Sequence, residues 1–278
     1  MRLVALMLTR NGAWSLRATA PAALTYCDDL VLSLHRCEDE SAQIAADLAA
    51  AHPGRVHVLY RDDEVWPEIE HRAATLAEAR KIGATHALVI DDDDLLSTNL
   101  VDRVREQTAR VPPGGYMIAP RWRVVSRESA DQVRWVTAAW GMADGLGYAP
   151  IALHESPRHP RLDNAVGQWT AGLTDGGMLH LSGLQSGGEA ARIAYYRMQA
   201  RLRCPDLPLE AIHQRYRLDR PDGVLTPVPA SWWPTGAWEQ IDWQRPLWQA
   251  VECRRLLARY GAERFAGIDL LGADRSAA

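Results

Sequence analysis

Residues 86–96 read HALVIDDDDLL: the apolar run His86–Ile90 leads straight into four consecutive aspartates, Asp91 to Asp94. A short apolar run without helical spacing reads as a buried strand. In an open α/β sheet, a strand delivers whatever follows it to the carboxyl edge, where such sheets bind ligands. Four carboxylates this close repel one another and stay ionised only with positive charge among them. A hard divalent cation, Mn²⁺ or Mg²⁺, is the natural partner, because such ions bridge protein carboxylates to substrate phosphates. The bland alternative is a solvated acidic turn that caps the next helix. Placement directly after a buried strand favours a site.

Working outward, the chain before this stretch alternates cleanly. Leu3–Leu8, Leu30–Leu34 and Arg55–Tyr60 read as three earlier strands. Residues 13–26, Glu38–Ala51 and Pro67–Ile82 read as the helices between them. Pro67 suits a first helical turn, and Gly83 ends that helix. Ser97–Arg110 follows as another helix with Ser97 as its cap. Strand–helix alternation with short links predicts a mostly parallel central sheet covered by helices on both faces. Right-handed crossovers bring each strand end and the next helix start to one edge. Asp39, Asp62, Asp63 and Arg72 fall at such junctions. Arg72 could neutralise the aspartates or hold a phosphate oxygen.

After residue 110 the pattern changes. Pro112–Gly115 reads as a turn, with Tyr116–Ala119 and Trp122–Val125 as strands that could form a hairpin. Residues 141–178 are rich in Gly and Pro without clear periodicity. Gly188–Arg203 and Leu247–Tyr260 read as helices. Trp232, Trp233, Trp238, Trp243 and Trp248 crowd one segment, where indoles could cover a core or stack on sugar rings. The expectation is a single domain over 1–278. Residues 1–120 read as a nucleotide-binding-like front half, and 121–278 as an irregular back with C-terminal helices.

Composition narrows the function. The 278 residues are 47% hydrophobic and 24% charged, which excludes disordered and collagen-like chains. A net charge of -4 argues against a general nucleic-acid binder. Eighteen acids against twelve bases in residues 1–110 make the front half acidic. Lys81 is the only lysine, and no Gly-Lys-Ser/Thr loop occurs. The four cysteines are scattered, with no C-x-x-C pair for a zinc ribbon. The apolar run Leu3–Leu8 is too short for a signal peptide or a membrane span. No transmembrane segment is expected. The expected location is cytoplasmic, with peripheral membrane contact left open.

Order and spacing of these pieces resemble a family 2-type glycosyltransferase of the GT-A fold, in the nucleotide-diphospho-sugar transferase superfamily. LVALMLTRN, with Thr9, resembles that family's first strand and polar turn. LVLSLHRCEDES resembles the second strand and the turn whose aspartate contacts the nucleotide base, here Asp39. EIEHRAATLAEARKIGATHALVIDDDDLL resembles the helix carrying Arg72 and the D-x-D-D block. Asp91 and Asp93 match the ends of D-x-D, and Asp94 is the extra acid. Leu153-His154-Glu155 resembles a "-HE-" seen in several members. Met178-Leu179-His180, with Arg192 and Tyr196 beyond it, resembles a tail motif of some others. The usual Gly of the Asp39 turn is missing, and Ala73 stands where an Asn commonly follows the helix arginine. The Q-x-x-R-W motif of processive synthases is not apparent.

The resemblance implies transfer of a sugar from a nucleotide-diphosphate donor, with inversion, to a glycan, lipid or protein acceptor. It implies a divalent metal (Mn²⁺ or Mg²⁺) at Asp91, Asp93 and His180. Donor contacts would come from Thr9, Asp39, Arg72, Asp91, Asp92 and His154. Glu155 is the candidate catalytic base, with Asp163 and Asp144 as rivals. Two other readings stay open: a nucleotidyltransferase on the same sheet, and a non-catalytic sugar- or nucleotide-binding module. A dehalogenase-type phosphatase also uses D-x-D but needs a downstream lysine, and Lys81 lies upstream.

Overall fold

Alternate residues of the first strand enter two different cores in the computed structural model. Leu3, Ala5 and Met7 of β1 (Leu3–Thr9) pack with Leu30, Leu32, Leu88 and Ile90 against one layer of helices. Val4 and Leu6 pack with Val31, Val89, Leu76 and Ala79 against the other. A strand buried on both faces is why the sequence shows a continuous apolar run rather than alternation. The structure describes residues 1–63, 66, 68–109, 117–118, 122–129, 132–137, 150–152, 168–169, 175–184, 188–217, 226–245 and 247–271.

In chain order the front half comprises β1, α1 (Ala13–Tyr26), β2 (Asp29–His35), α2 (Ser41–Ala51), β3 (Val56–Arg61), α3 (Glu68–Lys81) and β4 (His86–Asp91). Then follow β5 (Asp94–Leu96), α4 (Val101–Thr108), β6 (Met117–Ile118), β7 (Trp122–Ser129), β8 (Gln132–Thr137), β9 (Pro150–Ala152), β10 (Gln168–Trp169) and β11 (Met178–His180). The chain ends with α5 (Gly188–Arg203), α6 (Leu209–Arg215), β12 (Thr226–Pro227) and α7 (Trp248–Tyr260).

The main sheet has the order β3-β2-β1-β4-β9. Its first four strands are parallel, and β9 joins β4 antiparallel. This is the mostly parallel, doubly covered sheet expected of the GT-A-like class. A second sheet has the order β12-β8-β7-β11-β5, and β6 pairs with β10.

Several local readings need correction. The hairpin is β7 with β8, not the two short strands around residue 120; β6 pairs in parallel with β10 instead. α2 starts at Ser41 rather than Glu38, because the Asp39 carboxylate accepts the Ser41 N–H at 3.0 Å and residues 38–40 form the turn. Ser97 does not cap with its side chain; its hydroxyl accepts the Gly177 N–H at 2.9 Å. A 3₁₀ turn, Thr98–Leu100, precedes α4. Gly83 closes α3 as expected, at φ +83, where a side chain would be strained.

Two compact units emerge: Met1–Leu181 with Gly223–Asp242, and Ser182–Asp222 with Trp243–Ala278. The second unit packs α5, α6 and α7 around Tyr195, Met198, Ile212, Cys253 and Phe265. Buried Arg197 ties it together, donating to the carbonyls of Tyr216 (2.8 Å) and Asp269 (2.7 Å). The tryptophan segment is divided between the units. In the first, Trp232 is buried, its carbonyl accepts the Thr98 hydroxyl, and Trp233 meets Trp238 edge-on at 5.2 Å. In the second, Trp248 packs edge-on against Tyr195 at 5.0 Å. Among the described residues no helix is long and apolar enough to cross a membrane.

Candidate functional site

The four aspartates mark the passage from one sheet to the other. β4 ends at Asp91, Asp92 and Asp93 turn, and β5 begins at Asp94. β5 pairs antiparallel with β11, so that Asp94 stands opposite His180. The Leu181 N–H donates to the Asp93 carbonyl at 2.8 Å and pins the turn against the end of β11.

Each carboxylate of the block has its own surroundings. Asp91 Oδ1 lies 3.5 Å from Arg72 Nη2. Arg72 is buried, and its Nε also donates to Glu68 at 2.8 Å, which aims the guanidinium along the sheet edge. Asp92 accepts the Thr9 hydroxyl, and its carbonyl accepts the Thr19 hydroxyl at 2.8 Å. Desolvation, then repulsion from Asp93, pushes the Asp92 carboxyl well above the usual carboxylate range. A Cβ at Gly12 would overlap Asp92 Oδ2 and Thr9 Oγ1, so only glycine lets β1's loop approach this closely. Asp93 Oδ1 is 3.5 Å and Asp94 Oδ1 2.9 Å from His180 Nδ1.

Asp93, Asp94 and His180 therefore form a group whose ligand atoms lie within 4.8 Å of one another. Two carboxylates and an imidazole fit a divalent cation such as Mn²⁺ in donor type and spacing. Asp91, expected from the sequence as a ligand, does not join this group and faces Arg72 instead. Asp39 sits at the joint of two helix starts. Its Oδ2 accepts the Ala13 N–H and its Oδ1 the Ser41 N–H, both at 3.0 Å. The loop Thr9–Ala13 thus runs between Asp92, bonded to Thr9, and Asp39, bonded to Ala13. Asn11 turns that loop at φ +52, in the left-handed region that Asn tolerates better than most residues, and accepts the Glu38 N–H at 2.7 Å.

Thr9, Asp39, Arg72, Asp91, Asp92, Asp93 and His180 accordingly share the carboxyl edge. His154 and Glu155, with the rival bases Asp144 and Asp163, lie outside the described residues. One cluster escaped the sequence reading. His35 ends β2 and His71 opens α3; both are fully buried, with ring centroids 4.9 Å apart. The His35 Nε2 lies 2.7 Å from the Asp63 carbonyl, and the His71 Nε2 3.0 Å from the Asp63 carboxylate. Trp66 packs edge-on against both rings. Burial pulls His35 down to about 4 and lowers His71 as well. The signal was position: His35 at the end of β2 and His71 in the first turn of α3, with the acidic β3–α3 junction between them in the chain.

Fold and site together define a doubly wound α/β protein with a carboxylate–imidazole group at the edge where such sheets bind nucleotides. No protein-family model matches the chain, and no curated protein matches it. Among solved structures it is similar to S. aureus TarS in complex with UDP, at 13% identity over 48% of this chain, TM-score 0.33. It is also similar to GalNAc-T7 with UDP, GalNAc and Mn²⁺, at 16% identity over 45% of this chain, TM-score 0.34. A third is 4-diphosphocytidyl-2C-methyl-D-erythritol synthase, at 16% identity over 55% of this chain and 76% of that one, TM-score 0.37. The chain spans 37% of that TarS chain and 24% of the GalNAc-T7 chain.

Proposed function

We propose that this protein transfers a sugar from a nucleotide-diphosphate donor to an acceptor hydroxyl, with inversion at the anomeric carbon. The observation that carries the reading is the Asp93–Asp94–His180 group beside Asp91, Asp92 and Arg72 on the carboxyl edge of a doubly wound sheet. A divalent metal held there would offset the negative charge that develops on the leaving diphosphate. The chain's own groups would do the rest. Arg72 presents its guanidinium toward a phosphate oxygen while balancing Asp91. The Thr9–Ala13 loop, tied to Asp92 through Thr9 and to Asp39 through Ala13, would line the donor. Asp39 holds that loop to the start of α2 and so shapes the nucleotide side of the edge. His154 would contact the donor. Glu155 is the proposed base that removes the acceptor proton as the new bond forms, a role typically contributing about 10²–10⁴-fold in rate.

A thermal-shift screen of nucleoside diphosphates with and without Mn²⁺ tests the donor site, since a ligand of the folded state raises stability by mass action. The expected result is a shift that needs both components. Product analysis then separates the reactions. A glycosyltransferase releases the nucleoside diphosphate, whereas a nucleotidyltransferase releases pyrophosphate. Binding with neither product would favour a non-catalytic module. The absence of any nucleotide shift, with or without metal, would remove the proposal.

A further inference from the structure

His35 and His71 take no part in the transfer proposed above, yet both are completely buried. Both reach the same residue. His35 Nε2 lies 2.7 Å from the Asp63 carbonyl oxygen, and His71 Nε2 lies 3.0 Å from Asp63 Oδ2. Neither oxygen can donate, so each imidazole carries its hydrogen on Nε2. The Nδ1 of each neutral ring then holds a lone pair, and neither Nδ1 has a hydrogen-bond partner among the described residues. Trp66 covers both rings edge-on, at 5.0 and 5.2 Å.

A proton would act differently on the two rings. On His71 it would strengthen a bond to a carboxylate. On His35 the Nε2 partner is an uncharged carbonyl, and a second N–H at Nδ1 would be buried without an acceptor. Burial weighs most against a charge on either ring. Arg10, from the loop after β1, and His71, from α3, add repulsion at His35. The Asp63 carboxylate favours a charge there, but its Oδ2 already serves His71 and, at 3.0 Å, the Arg61 Nε of β3. Around His71, Arg61 opposes a proton while Asp63 and Glu70 favour it.

We propose that His35 is the acid trigger of a latch at the β3–α3 junction: its neutral ring holds Asp63, and a proton at Nδ1 is accommodated only when His35 lets go of Asp63 and meets water. Release also loosens the partner of His71. His71 precedes Arg72 in the chain, so the opening reaches the arginine beside Asp91. The latch stands on the geometry alone; its effect on the donor edge rests on the function proposed above. The direction with pH follows from the two states. A released His35 titrates near its ordinary 6.5, and the held ring near 4. The released form binds the proton more readily, so opening grows as pH falls below about 6.5 and levels off near 4. Between pH 7.5 and 5 the open population should rise roughly 10–100-fold.

The test is amide hydrogen exchange, corrected for the intrinsic rate at each pH, and it needs no ligand. The Arg36 N–H donates to the Arg61 carbonyl at 3.0 Å and reports on the β2–β3 pairing beside His35. The amide of Leu6, buried in the middle of β1, reports on the core. From pH 7.5 to 5 the Arg36 amide should lose roughly 10–100-fold in protection and fall well below Leu6, as a local release demands. His35→Gln keeps a side-chain N–H for the Asp63 carbonyl but takes no proton, and its Arg36 protection should not change with pH. Equal protection of Arg36 and Leu6 at pH 5 would overturn the proposal, because His35 would then reach water only through global unfolding. An Arg36 amide as protected at pH 5 as at pH 7.5 would overturn it, and so would the same loss in His35→Gln as in wild type. Should His35→Gln fail to fold, the two wild-type amides still decide.

Discussion

Gly12→Ala should damage the acidic edge by steric contact alone. The glycine sits at φ −93 and ψ 12, which alanine adopts without strain, so the backbone is not the problem. The added methyl would meet Asp92 Oδ2 and Thr9 Oγ1, which already bond to each other. Gly12 also occupies the N-cap of α1, where alanine is worse than glycine by about 0.5–1 kcal/mol. Forcing a methyl into a filled space typically costs about 1–3 kcal/mol. The two effects together come to roughly 1.5–4 kcal/mol. For a protein of this size that corresponds to a fall of about 3–16 °C in melting temperature. The assay is thermal or urea unfolding of Gly12→Ala, Asp92→Ala and the double variant. With the Asp92 carboxylate gone, the methyl has lost one of its two obstacles, and the Gly12→Ala penalty should shrink by at least about 1 kcal/mol. Equal penalties in both backgrounds, or a Gly12→Ala protein that melts within a degree of wild type, would refute the close approach.

Asp39→Ala removes the acceptor of two backbone N–H groups and should cost about 1–3 kcal/mol in unfolding experiments, with Asp39→Asn losing less because one oxygen remains. His35, buried beside His71 and Arg10, is held down to about 4 from an ordinary 6.5. Between those values the unfolded chain binds the proton more readily, so stability should be full above about pH 6.5 and decline as pH falls toward 4. His35→Gln should flatten that part of the profile in urea titrations run from pH 7 to 4. Asp93→Asn should abolish the Mn²⁺-dependent thermal shift with nucleoside diphosphates while leaving the fold intact; a shift equal to wild type would contradict its role as a ligand.

The apolar runs of β1, β2 and β4 were legible because each is buried on both faces, and a two-sided core leaves few polar residues to blur the pattern. α5 was equally plain, occupying Gly188–Arg203 as its spacing predicts. The acidic block announced itself because four carboxylates in a row have few stable settings. Less accessible was everything decided by distant partners. Asp39 reads as a ligand residue, yet its oxygens serve two helix starts, one of them 26 residues upstream. Ser97 reads as a cap, yet its hydroxyl receives an N–H from 80 residues away. His35 and His71 are ordinary in isolation and form a cluster only because Asp63 lies between their elements. The β7–β8 hairpin was missed because Trp122–Ser129 runs four residues past the stretch that looked extended.

The contact between Asp94 and His180 spans 86 positions of chain, about as many as the 83 between the paired Leu3 of β1 and His86 of β4, but its second partner is made well after β1 to β4 are complete. Closing a loop of that length costs on the order of 4 kcal/mol in chain entropy before any contact compensates it. On a ribosome the parallel sheet can therefore consolidate while the acidic run is still a strand end with no opposing partner. The edge acquires its histidine only once β11 has emerged and aligned against β5. Any ligand that needs both residues has nothing to bind before that moment, so binding of such a ligand would report finished folding and not collapse alone.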